Sequence, residues 1–81
     1  MKIIRTYHSP HINYEIVEEN SHFHINAYTG DKKDSTDPEC HVVLRDFSRD
    51  LETAEIFTKA ISSAAALPIH LEELADSFLS R

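Results

Sequence analysis

The chain predicts an α+β domain, a four-stranded antiparallel sheet with two C-terminal helices packed on one face, in the order ββββαα. Two observations carry this. Apolar residues recur with a period of two up to Phe47 and with a period near 3.6 after it. The two kinds of segment are also segregated along the chain, an order that favours antiparallel pairing with helices on one face and leaves the other to solvent or a partner. Length adds a bound: 81 residues suit one domain over 1–81, because a domain near this size buries only about 60 % of its unfolded surface and supports a single core.

The elements follow in order. Residues 2–8 are rich in β-branched and aromatic types, with Ile3, Arg5 and Tyr7 alternating against Ile4, Thr6 and His8, and read as a strand whose inward face is undecided. Ser9-Pro10 punctuates it, since proline lacks an amide proton and keeps the preceding residue extended. Ile12, Tyr14 and Ile16 alternate with Asn13 and Glu15 in a second strand, which a polar turn over 18–21 closes. Phe23, Ile25 and Ala27 alternate with His22, His24, Asn26 and Tyr28, the clearest strand signal in the chain. Residues 30–39 hold the only glycine, five charges before Pro38 and no large apolar side chain, the composition of an exposed loop. His41 to Phe47 returns to strand character, and the run Val42-Val43-Leu44 predicts a central strand.

Beyond Phe47 the pattern turns helical. Ser48 or Asp50 is placed to cap the first free amides, and Leu51, Ala54, Phe57, Ile61 and Ala64 form one stripe of a helix expected to end near Leu67. Pro68 suits the first turn of a second helix, whose stripe is Leu71, Leu74, Ala75 and Phe78.

Composition narrows the chemistry. Fourteen acidic against eight basic residues give a net charge of −6, which repels phosphate backbones and anionic lipid and attracts a basic protein surface. Direct nucleic-acid binding is therefore disfavoured. Met1-Lys2-Ile3-Ile4 leads into no long apolar run, no stretch is long enough to span a bilayer, and the lone Cys40 has no internal partner, so a reducing cytosol is the expected compartment. His22 and His24 would share one strand face, but a metal site needs three or four converging ligands, so no metal and no cofactor is expected. Cys40 with a nearby histidine lacks an orienting third group and reads as a small hydrophobe. Glu15, Glu18 and Glu19 read as a solvated edge or contact surface, and Glu52, Glu55, Glu72, Glu73 and Asp76 as solvated helix faces. With one glycine there is no phosphate-cradling loop. An enzyme is not expected. An open sheet face carrying Asn13, Glu15, His24, Asn26 and Tyr28 has instead the mixed aromatic and polar character of a protein-binding surface. Tyr28→Ala would then weaken binding and leave stability intact.

The chain opens Met1-Lys2-Ile3-Ile4-Arg5, enters its second strand through His11-Ile12-Asn13-Tyr14, reaches its first helix through Arg45-Asp46-Phe47 and breaks between helices at Leu67-Pro68. In these short stretches, and in element order over nearly the whole chain, it resembles the small phage-encoded anti-CRISPR proteins that inhibit type I-F surveillance complexes. The resemblance implies four antiparallel strands followed by two helices. It also implies a non-catalytic inhibitor in the host cytoplasm that binds the basic, nucleic-acid-binding backbone subunits of the Cas complex and blocks target DNA from pairing with the guide. In that family the exposed sheet makes the contacts, through tyrosines on the first two strands and a glutamate near the end of the third. Here Thr6 stands at the first tyrosine position with Tyr7 beside it, the second strand is shortened before Asn20, and the third ends Asn26-Ala27-Tyr28. Those contacts do not carry over residue by residue, and Tyr7 is the first-strand candidate in their place. The alternative reading is a regulatory or antitoxin-like protein-binding module, homodimeric through a sheet edge.

Overall fold

The computed structural model describes residues 2–31, 33, 36, 37 and 39–80. Strands β1 (Lys2–His8), β2 (Ile12–Glu19), β3 (His22–Thr29) and β4 (His41–Ser48) precede helix α1 (Leu51–Ser63), a 3-10 turn (Pro68–His70) and helix α2 (Leu71–Leu79). The strands form one antiparallel sheet in the order β1-β2-β3-β4, so every neighbour in space is also a neighbour in sequence. The predicted α+β architecture is the one observed. Among the described residues no helix is long and apolar enough to cross a membrane.

The β2–β3 hairpin sets the register. Asn20 and Ser21 both take positive φ, +53° and +67°, as a two-residue turn matching the twist of its strands requires. From Glu19↔His22 to Ile12↔Thr29 the pairing then runs without a slip. This puts Ile12, Tyr14, Ile16, Phe23, Ile25 and Ala27 on one face, where they join Leu44 and Phe47 of β4 in the core.

Both outer strands are bulged. On β1, Ile3 pairs with Val17 and Arg5 with Ile16, so Ile4 is an extra residue that turns towards the core. On β4, Leu44 pairs with Ile25 and Ser48 with Phe23, so three residues, Arg45 to Phe47, face His24 alone, and Asp46 absorbs the bend at φ +50°. β4 is thus an edge strand and not the central strand its apolar run predicted. The run has another cause: Val42 and Leu44 face the helices while Val43 packs on the opposite face beside Val17. An apolar side chain on each face, and not two flanking strands, accounts for it.

The helices cover the face that carries Tyr14. Ala54, Phe57 and Ile61 of α1 and Leu71 and Ala75 of α2 are buried against the sheet, and the rings of Phe47, Phe57 and Phe78 cluster, Phe47 stacked on Phe57 at 4.7 Å and on Phe78 at 6.1 Å between centroids, and Phe57 tilted against Phe78 at 5.2 Å. Ala64 and Leu74, members of the predicted stripes, remain exposed at the seam between the helices. α1 stops at Ser63, short of the predicted Leu67, because Ala65 turns left-handed at φ +53° and the amides of Ala65 and Ala66 bond back to Ser62 and Ile61. This is a Schellman ending with alanine where glycine is usual. At the other end neither Ser48 nor Asp50 caps the first-turn amides: Asp50 Oδ2 accepts from the Thr53 hydroxyl at 2.8 Å, and Ser48 Oγ accepts from the Asp50 amide at 2.9 Å. The Tyr14 hydroxyl donates to the Ala66 carbonyl at 2.7 Å, fastening the interhelical segment to the middle of the sheet. Burial holds the Tyr14 hydroxyl above its usual ionisation range of 10.0, with hydrogen bonding to Ser9 opposing.

Candidate interaction face

Strand alternation that buries Ile12, Tyr14 and Ile16 turns Asn13, Glu15, Val17 and Glu19 to the other side, where they meet Tyr28, Asn26, His24 and His22 as direct cross-strand partners. His41 stands opposite Tyr28 and Val43 opposite Asn26. Five of the six residues predicted for binding, Asn13, Glu15, His24, Asn26 and Tyr28, therefore share the face that the helices leave open. Tyr7 lies on the other side, paired with Tyr14, packed on the core and bordered by Glu52, Glu55, Ile56 and Lys59 of α1.

Glu15 organises the centre of this face. Its sequence context predicts a solvated edge or a contact surface, and the residue is only 5 % exposed. Its Oε1 accepts from Asn26 Nδ2 at 3.1 Å and its Oε2 from the Tyr28 hydroxyl at 3.2 Å. Lys33 reaches in from the loop after β3, its Nζ 3.2 Å from Oε1 and 3.3 Å from Oε2 and 5.7 Å from the centroid of the Tyr28 ring. Asn26 Oδ1 continues the network to His41 Nε2, and the His41 ring meets Tyr28 edge-on at 6.3 Å. At one end Asn13 donates to the Gly30 carbonyl at 2.9 Å and bonds His8 Nδ1 across to β1. A carboxylate so far from water is tolerable only because ionic and neutral donors surround it. The same arrangement raises the Tyr28 hydroxyl above its usual ionisation range. Burial is the largest cause, followed by the adjacent Glu15 charge and the bond donated to it, while Lys33 acts in the opposite direction.

A second cluster sits at the β4 bulge. His24, 7 % exposed, accepts the Asp46 amide on Nδ1 at 2.8 Å, which places the proton of its neutral ring on Nε2, 4.0 Å from Glu19 Oε1. His22 Nδ1 approaches Asp46 Oδ1 at 3.8 Å. His22 and His24 do share a face, and among the described residues no group of three or more histidine, cysteine or acidic side chains is arranged to hold a metal ion. Between the clusters Val17, His24, Asn26, Val43 and Arg45 line a pit of about 100 Å³.

Sequence reasoning reached the residues of β2 and β3 because their alternation is unbroken. It missed Lys33, His41 and Asp46. A lysine in a charged loop reads as solvated, and nothing in the local pattern marks the bulge that swings Asp46 under His24. It also took Tyr28 for an exposed anchor, whereas the side chain is half-buried and bonded to Glu15. Truncating Tyr28 to alanine therefore costs stability as well as contact area.

No protein-family model, no curated protein and no solved structure matches this chain, so what the face does is argued from its own residues.

Proposed function

We propose that this chain is a non-catalytic inhibitor protein that docks its open sheet face on a CRISPR-Cas surveillance complex and blocks target-DNA binding. The observation that carries a binding role is the ordered polar row Asn13, Glu15, Asn26, Tyr28 and His41 on the face turned away from both helices. Its side chains are already fixed by mutual bonds, so a partner would meet a surface whose ordering entropy has been lost in folding. The resemblance to type I-F inhibitors supplies the target, and the net charge of −6 suits a basic nucleic-acid channel.

Both sheet edges carry a bulge, a device that hinders strand-to-strand association. This favours the face over the edge as the contact surface, and the inhibitor over an edge-paired homodimer. The test is capture of purified type I-F complex, loaded with guide RNA, by the tagged protein, followed by a target-DNA binding assay. Stable capture with loss of DNA binding supports the proposal. Absence of capture at micromolar concentrations, or capture that leaves DNA binding intact, overturns it.

A further inference from the structure

Asn26 and Tyr28 reach Glu15 from β3, held in place by the sheet. Lys33 comes from the loop that follows, and its side chain is 46 % exposed while that of Glu15 is 6 % exposed. The two partners of this ion pair therefore differ in kind: the carboxylate is built into the sheet, and the cation is laid over it from outside. A buried carboxylate with both oxygens turned to one ammonium, and a tyrosine ring 5.7 Å from that ammonium, are together the elements of a cation receptor. The tyrosine hydroxyl and the Asn26 amide hold the carboxylate in one orientation.

We propose that Glu15, Asn26 and Tyr28 form a receptor for a basic side chain of the protein partner, and that Lys33 fills it in the free protein as an internal surrogate that the partner displaces. The inference rests on the protein-binding reading above and names the chemistry by which the partner is recognised. Arginine is the better occupant. Its guanidinium offers parallel donors to the two carboxylate oxygens and a flat face to the tyrosine ring, where an ammonium offers a single charged point. Displacing Lys33 exchanges one cation for another, so the buried Glu15 carboxylate stays paired and the side chain released is the half-exposed one.

The experiment is a two-dimensional amide NMR titration with a short neutral peptide carrying one arginine, compared with the same peptide carrying citrulline, which keeps the shape and removes the charge. The proteins are the wild type, Lys33→Gln and Lys33→Gln/Glu15→Gln. The arginine peptide should shift the amides of Glu15, Asn26 and Tyr28, and should bind Lys33→Gln more tightly than wild type, because the internal competitor for the buried carboxylate is gone. Citrulline peptide, and the double variant, should show no such shifts.

Equal binding to wild type and Lys33→Gln, or equal responses to arginine and citrulline, would sink the receptor. The citrulline comparison needs no altered protein, so it decides the matter even where Glu15→Gln fails to fold. Positive peptide results with no capture of the surveillance complex would leave the receptor standing and remove its assigned partner. Capture without a peptide response would do the reverse.

Discussion

Tyr28 and Tyr14 each place one hydroxyl where its loss can be measured. Removing the Tyr28 hydroxyl with phenylalanine keeps the ring and deletes one of the donors to Glu15, which should lower stability by about 1 kcal/mol in urea unfolding. An unchanged midpoint would mean that water replaces the hydroxyl at no cost. Both tyrosines also ionise above the usual 10.0, Tyr14 through burial and Tyr28 through burial and Glu15. The folded chain therefore keeps two protons after the unfolded chain begins to release them, so the stability they add is whole below that pH and is lost as pH rises through the folded-state values. Urea midpoints should fall from about pH 9 to about pH 11, and fall less steeply in Tyr14→Phe. Identical slopes in the two proteins would assign the decline to other groups. None of this was legible in the sequence beyond the placing of the two residues on opposite faces. Alternation fixes direction, whereas the carbonyl that accepts from Tyr14 comes from the interhelical segment and the ammonium that donates to Glu15 from a loop.

At the scale of elements, the end of α1 offers a clean substitution. Ala65 holds a left-handed backbone that costs a residue with a Cβ about 1–2 kcal/mol. Ala65→Gly should relieve this, keep the Schellman bonds and raise stability by about 0.5–1 kcal/mol after the greater freedom of glycine in the unfolded chain is counted. Differential scanning calorimetry would show an increase of a few degrees in a domain of this size, and a decrease would place the strain elsewhere. The strands, both helices and their order could be read from periodicity because each element turns an apolar face to one core. The helix end at Ser63 could not, since the usual marker, glycine, is absent from position 65. Nor could the edge position of β4, because an apolar run records apolar contacts on both faces and carries no information about how many strands flank it. Tyr7 was ambiguous for a related reason: the Ile4 bulge shifts the alternation of β1 by one residue, so the parity read from one end fails at the other.

Charge acts over the whole molecule. Five of the six charged residues on the two helices are acidic, and with a net −6 the chain should be drawn to a basic complex before any contact forms. Under the proposed function, its association rate with the type I-F complex should fall steeply between about 0.05 and about 0.5 M salt while dissociation changes little. A rate indifferent to salt would show that steering plays no part in the encounter. The topology bears on the history of the chain as well as on its encounters. Because the sheet is a simple meander, each strand pairs with the one made just before it, and these pairings need only short loop closures. The bond from Tyr14 to Ala66 spans 52 residues, and the apolar face around it stays bare until α1 and α2 have been synthesised. On the ribosome, then, the nascent sheet emerges with its sticky side uncovered, and the interval before the final third of the chain arrives is when a chaperone would find its grip.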